Sequence, residues 1–282
     1  MAEQGTLYGV GVGPGDPELM TVKAMRILAR ARVVAYFAKR GKNGNAHATA
    51  QPFIHPEAER LPLYYPYTVE VSPRDPAYIA AMREFYDESA ARVAERLLRG
   101  QDVAVLCEGD PMFYGSYMYL HDRLAAQHAA CVIPGITSFA GCAAGAGIAL
   151  VSTDRVFSIV PGTLPEQELE EKLKSADAAA IIKLGRHFPK VRRVLARLGK
   201  LAGATYFEHG TTAQQVVMPL VDKRDERSLY FSLIIVPGHD GGPYRPLSSF
   251  APSADTILAD TISADASSPA SVRAEHAGEP RE

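Results

Sequence analysis

Short apolar runs alternate with amphipathic stretches along most of this 282-residue chain, and that rhythm restricts the fold class before any single residue is considered. The run "TLYGVGVG" (6–13) reads as a buried strand. "PELMTVKAMRILARA" (17–31) predicts a helix whose apolar face carries Leu19, Val22 and Leu28. Asp16 suits its N-cap and Pro17 its first turn, where a missing N–H costs nothing. "RVVAYFA" (32–38) is the next strand, and "DPAYIAAMREFYDESAARVAERLLRG" (75–100) a long helix closed by a glycine. "DVAVLC" (102–107) predicts a strand, "SYMYLHDRLAA" (116–126) a helix, and "CVIPG" (131–135) a short strand and turn.

The rhythm then restarts. "RVFSIVPG" (155–162), "AAAIIKLG" (178–185), "ATYFEHG" (204–210) and "LYFSLIIVPG" (229–238) read as strands. "PEQELEEKLKSA" (165–176) and "KVRRVLARLG" (190–199) read as helices between them. Strand–helix alternation implies parallel sheets with right-handed crossovers. The expected class is therefore α/β, as two α/β domains with mainly parallel sheets and a ligand cleft between them. Residues 1–134 form the first domain, 135–154 a Gly/Ala/Ser/Thr-rich connection, and 155–240 the second. Residues 241–282 are rich in Pro, Ser, Ala and Asp and poor in large apolar side chains, so disorder is expected there.

Composition removes several functions. The formal charge is -2, so a nucleic-acid partner has no support. No run approaches the ~18 apolar residues of a membrane span, and "MAEQGTLYGV" lacks the basic start and apolar core of a signal segment. A cytoplasmic protein is expected. The three cysteines, Cys107, Cys131 and Cys142, show no CxxC pairing and read as small core residues, with a Cys131–Cys142 pair as the weaker alternative. His47 and His55 match no metal-ligand spacing, so no metal is expected.

The stretch "GVGVGPGDPELMTVKAM" (9–25) looks like a nucleotide loop but is not one. A dinucleotide fingerprint needs a third glycine in the sixth position, which is Pro14 counting from Gly9 and Asp16 counting from Gly11. No G-K-S/T follows. Asp16 at the helix start occupies the place a phosphate would take and repels it, and Pro14 removes a donor. Such a loop suits close backbone approach to a ligand that carries no phosphate. S-adenosylmethionine (SAM), with its sulfonium, is such a ligand. A second loop, "CEGDPMFYGS" (107–116), repeats the small–acidic–proline character, with Gly109 allowing a tight turn and Asp110 available to ligand hydroxyls or an ammonium.

"GVGPGDPELMT", "EGDPMFYGS" and "IPGITS" (133–138), in that order and spacing, resemble the tetrapyrrole methylase family. The resemblance covers residues 5–238 and implies the tetrapyrrole methylase fold, with SAM bound in the cleft between two α/β domains. It implies that Pro14, Gly109, Asp110, Met112, Thr137, Ser138, Leu184 and Leu233 contact this cofactor. "AAIIKLGRHFPKVRRVL" and "FEHGTTAQQVV" followed by "YFSLIIV" are similar to the branch that methylates precorrin-2 at C20, forming precorrin-3A and S-adenosylhomocysteine. The cobalt-factor II enzymes of the anaerobic route share these segments. A SAM- or tetrapyrrole-binding protein without turnover is a third reading, and a family member acting on protein or RNA a fourth. The resemblance also implies a homodimer.

Methyl transfer is an in-line displacement, so the protein's main task is alignment. A proton must later leave C20, and Glu108, Tyr114 and His209 are candidates to take it. The substrate's many carboxylates call for cations at the cleft rim. Lys39 and Arg40 in "AKRGKNGN" and Arg186 and His187 in "GRHFPK" are the candidates.

Overall fold

The computed structural model describes residues 4–67, 71 and 75–238. The segment 241–282, for which disorder is expected, lies outside the described residues. In chain order the elements are β1 (Leu7–Gly11), α1 (Val22–Leu28), β2 (Val33–Ala38), α2 (Asn45–Ala50), β3 (Glu59–Tyr64), α3 (Pro76–Leu98), β4 (Val103–Cys107), α4 (Tyr117–Leu124), β5 (Ala130–Ile133) and α5 (Ser138–Gly145). There follow β6 (Phe157–Pro161), α6 (Glu166–Ser175), β7 (Ala178–Ile182), α7 (Phe188–Arg197), β8 (Thr205–Glu208), β9 (Val216–Pro219) and β10 (Ser232–Val236).

The first five strands form one sheet in the order β3-β2-β4-β1-β5. Every pairing in it is parallel. Side chains alternate faces, so each strand feeds two cores. Ala104 and Leu106 of β4 pack with Val34 of β2 and Ile27 and Leu28 of α1. Val103, Val105 and Cys107 pack on the other face with Val93 and Leu97 of α3 and Leu120 and Leu124 of α4. α3 begins where expected: Asp75 accepts the Ala77 N–H at 2.8 Å, Pro76 follows it, and Gly100 ends the run at φ +75°.

The second sheet has the order β6-β7-β10-β8-β9. Here the expectation of parallel pairing holds for β6 and β7 alone; β10 lies antiparallel between β7 and β8, and β9 is antiparallel to β8. The helical crossovers through α6 and α7 do keep β6, β7 and β8 pointing one way. β10 arrives later in the chain and slots between two of them. Ile181, Tyr206 and Ile234 face a core closed by α6 and α7, while Ile182, Phe207, Leu233 and Ile235 face Cys142 and Ala143 of α5.

One predicted helix is divided. Residues 17–31 form a single 3-10 turn, Pro17–Leu19, and then α1. Asp16 caps only the turn, accepting from Glu18 N at 2.9 Å. Thr21 is a second N-cap and accepts from Ala24 N at 3.1 Å. Val22 consequently sits at the first position of α1 and is 56% exposed, not on the apolar face. All three cysteines are free. Among the described residues no helix is long and apolar enough to cross a membrane.

Candidate active site

β1 and β4 are neighbours whose chains leave in opposite directions: β1 leads to α1 on one face of the sheet, β4 to α4 on the other. That divergence opens a crevice at the carboxyl ends of the strands, where ligands of open parallel sheets bind. Here the crevice is backed by three glycines in mutual contact. A Cβ on Gly135 would lie 2.0 Å from the Gly109 carbonyl oxygen, and one on Gly11 would lie 2.6 Å from Gly135 N. Gly109 has φ +64°, a conformation glycine adopts without steric cost. Asp110 fastens the arrangement, accepting Met112 N on Oδ1 at 2.9 Å and Gly135 N on Oδ2 at 3.0 Å.

The far wall comes from the second sheet. Asp16 N donates to Thr211 Oγ1 at 3.1 Å. A Cβ on Gly15 would meet Thr212 Cγ2 at 2.6 Å, and one on Gly210 would meet Cys142 Sγ at 2.1 Å. The ammonium of Lys183 lies 4.5 Å from the centroid of the Tyr114 ring. Tyr114, Lys183, His209 and Thr211 have φ of 54°, 57°, 46° and 66°. Left-handed backbone at four non-glycine residues is costly and concentrates at functional sites. Together these loops enclose a cavity of about 610 Å³, within the size range of small-molecule sites.

Charge in the cavity is unusual. Glu108 is exposed at the cavity wall, yet protein crowds its carboxyl, and that desolvation pushes it up to about 7 against the opposing effect of the Ala46 N–H it accepts. Burial lowers Lys183. The Tyr230 phenol is raised by burial and then by the nearby Glu108 charge. Burial pushes the Cys107 and Cys142 thiols up to about 12, which makes them inert packing groups.

Of the residues singled out in the sequence, Pro14, Gly109, Asp110, Thr137, Ser138 and Leu233 line this cavity, as do Glu108, Tyr114 and His209. Met112 does not; it is 47% exposed beside the loop, contributing its N–H to Asp110. The Leu184 side chain is wholly buried with Phe188 and Val191 in the core behind β7, because the left-handed backbone at Lys183, φ 57°, interrupts the alternation that would have set Leu184 on the cleft side with Ile182. Lys39 and Arg40 sit in the exposed turn after β2, and Arg186 and His187 in a 3-10 turn beyond β7, outside the residues lining the cavity. Burial, then Lys190 and Arg186, lower His187. Sequence reasoning missed Asn45 and Thr49 on α2, Lys183, and the Tyr230–Phe231 pair before β10. Lys183 carried a faint signal, as the one cation at the end of an otherwise apolar strand.

The family model for Tetrapyrrole (Corrin/Porphyrin) Methylases matches residues 6–222. The chain belongs to that family. More particularly, over 239 residues it is 50% identical to the precorrin-2 C(20)-methyltransferase of a Sinorhizobium species, covering 85% of this chain and 98% of that one. Over 235 residues it is 27% identical to the cobalt-precorrin-2 C(20)-methyltransferase of Salmonella typhimurium, covering 82% and 96%. In fold it resembles the crystal structure of a Thermus thermophilus uroporphyrin-III C-methyltransferase complexed with S-adenosylhomocysteine, at TM-score 0.58 and 23% identity over 83% of this chain and 92% of that one.

Proposed function

We propose that this chain is a SAM-dependent methyltransferase that methylates precorrin-2 at C20, yielding precorrin-3A and S-adenosylhomocysteine, in cobalamin biosynthesis. The observation that carries this reading is the 50% identity running through 98% of the Sinorhizobium enzyme. The 27% identity with the cobalt-precorrin-2 enzyme favours the metal-free substrate.

The cavity fits the cofactor on its own terms. Gly109 lines the cavity with backbone alone, in a left-handed turn at φ +64°. α5 starts at the cavity without a side-chain cap from Thr137, so its first N–H groups can serve a carboxylate. Asp16 N–H is occupied by Thr211 and its carboxylate by Glu18, which leaves nothing there for a phosphate. Pro14, Gly109, Asp110, Thr137, Ser138 and Leu233 would hold the cofactor. When bound, SAM supplies an electrophilic methyl group on a sulfonium.

The chain's own contribution is alignment. The Gly11–Gly109–Gly135 contacts fix the floor, and the Thr211–Asp16 bond fixes the opposite wall to it. Among the described residues lining the cavity, Lys183 is the Lys or Arg available to a substrate carboxylate. The resemblance extends the proposal to a cytoplasmic homodimer, which sedimentation would test.

The experiment is incubation of methyl-labelled SAM with fresh precorrin-2, with and without inserted cobalt, under anaerobic conditions. Mass and carbon NMR would locate the label. A single methyl at C20 of the metal-free ring supports the proposal; methylation of the cobalt form alone transfers the chain to the anaerobic route.

A further inference from the structure

We propose that Glu108 is the group that removes the C20 proton as the methyl group is transferred, an assignment that rests on the precorrin-2 reading above. Among the described residues the cavity is lined by two carboxylates, Glu108 and Asp110. Both oxygens of Asp110 already accept backbone N–H groups, from Met112 and Gly135, so that carboxylate serves the loop. Glu108 is placed differently. It follows the last residue of β4, at the strand divergence where the crevice opens, and accepts one N–H, from Ala46 at the start of α2. No ion pair among the described residues engages it. The titratable groups around it are Cys107 on its own strand and Tyr230 from the segment before β10, both of which feel its charge. Asp110, Tyr114, Lys183 and His209 share the cavity. Glu108 is exposed at the cavity wall, which gives a captured proton a way out.

The step balances. The π pair at C20 forms the bond to the methyl carbon, and the carbon–sulfur pair stays on sulfur, leaving a neutral thioether. The C20–H bond breaks, its pair returns to the conjugated ring, and the proton passes to Glu108 and then to solvent. A carboxylate pushed up to about 7 is matched to that task, because a base works best when its pKa lies near the operating pH. The other candidates are less suited. The face of the Tyr114 ring is covered by the Lys183 ammonium, and His209 packs its ring against Phe231, with centroids 6.5 Å apart.

The test compares the unsubstituted chain with Glu108→Gln, Glu108→Asp, Tyr114→Phe and His209→Asn, using saturating SAM and precorrin-2 from pH 5.5 to 9. The Gln side chain keeps an acceptor for Ala46 N–H and should leave SAM affinity, read by calorimetry, within twofold. Its kcat should fall about 100-fold, and the loss of rate below pH 7 should vanish. Glu108→Asp should keep that acidic limb at reduced rate, which preserves the test should the Gln variant not fold. The Tyr114 and His209 variants should also retain the limb. Glu108→Gln with kcat within twofold of the parent and the same acidic limb would overturn the assignment, as would loss of the limb in His209→Asn. No turnover by the unsubstituted chain would instead sink the substrate reading, and this assignment with it.

Discussion

Gly13 and Gly109 hold each other by two backbone hydrogen bonds, Gly109 N to Gly13 O at 2.8 Å and Gly13 N to Gly109 O at 3.4 Å. The bridge joins the loops that leave β1 and β4, and so sets the width of the crevice between them. Both residues hold left-handed backbone, at φ +77° and +64°, and the Gly109 carbonyl leaves no room for a Cβ on Gly11 or Gly135. That is why the floor of the cavity is written in glycine, and why its position follows from the sheet topology.

Gly135 should be the least replaceable of these residues. A Cβ there would stand 2.0 Å from the Gly109 carbonyl oxygen and 2.9 Å from Gly11 Cα, atoms that cannot rotate away. Gly135→Ala should cost about 3 kcal/mol or more in urea unfolding and abolish SAM binding. Gly203→Ala is the matched control, since nothing lies within 4 Å of its Cβ; it should be neutral or slightly stabilising. Equal behaviour of the two variants would refute the packing argument.

Asp110 should act through the loop it ties. Asn in its place offers one acceptor where two N–H groups, of Met112 and Gly135, need one each. Asp110→Asn should therefore lose about 1–3 kcal/mol of stability, the cost of one unsatisfied donor, and weaken SAM binding tenfold or more. Retained affinity together with full stability would show that the second hydrogen bond is dispensable.

The pairing of Lys183 with Tyr114 connects the two sheets across the cavity mouth. An ammonium over an aromatic face at an exposed site contributes roughly 0.5–1 kcal/mol. Tyr114→Phe keeps the ring and should unfold with its parent. Tyr114→Leu and Lys183→Met should each destabilise, and a double-mutant cycle should return a coupling of about 1 kcal/mol. Strictly additive effects would dissolve the contact as an energetic link.

The legible parts of this molecule were those whose signal is local. Asp75, Pro76 and Gly100 mark both ends of α3 in the sequence, and the structure uses all three. Pro14, Gly109 and Thr137, which the family resemblance offered as cofactor contacts, line the cavity, each in a turn that follows a strand. Local rhythm fails where pairing is decided at long range. Nothing near residue 232 announces that β10 will enter between β7 and β8 in the opposite direction. β3 was hidden by Pro62, which an edge strand tolerates. α5 was hidden by its Gly and Ala content, which close packing requires: a Cβ on Gly141 would meet Pro14 Cγ at 2.7 Å. Leu184 was one step off, since the side chains that face the cleft are those of Ile182 and Lys183.

Glu108 should weaken the fold it serves. Its carboxyl rises from 4.5 to about 7 on folding, so between those values the folded chain keeps a proton that the unfolded chain has released. Stability is then fully present below about pH 4.5 and declines as pH climbs toward 7. Glu108→Gln removes the charge and keeps an acceptor for the Ala46 N–H. At pH 8 that variant should be more stable than its parent by on the order of 1 kcal/mol, a figure held down because Glu108 is exposed at the cavity wall and solvent screens much of the penalty. At pH 4, where the parent carboxyl is itself neutral, the two urea transitions should coincide. A variant that is equally stable at pH 8, or less stable there than its parent, would show that the crowding around Glu108 imposes no cost on the carboxylate.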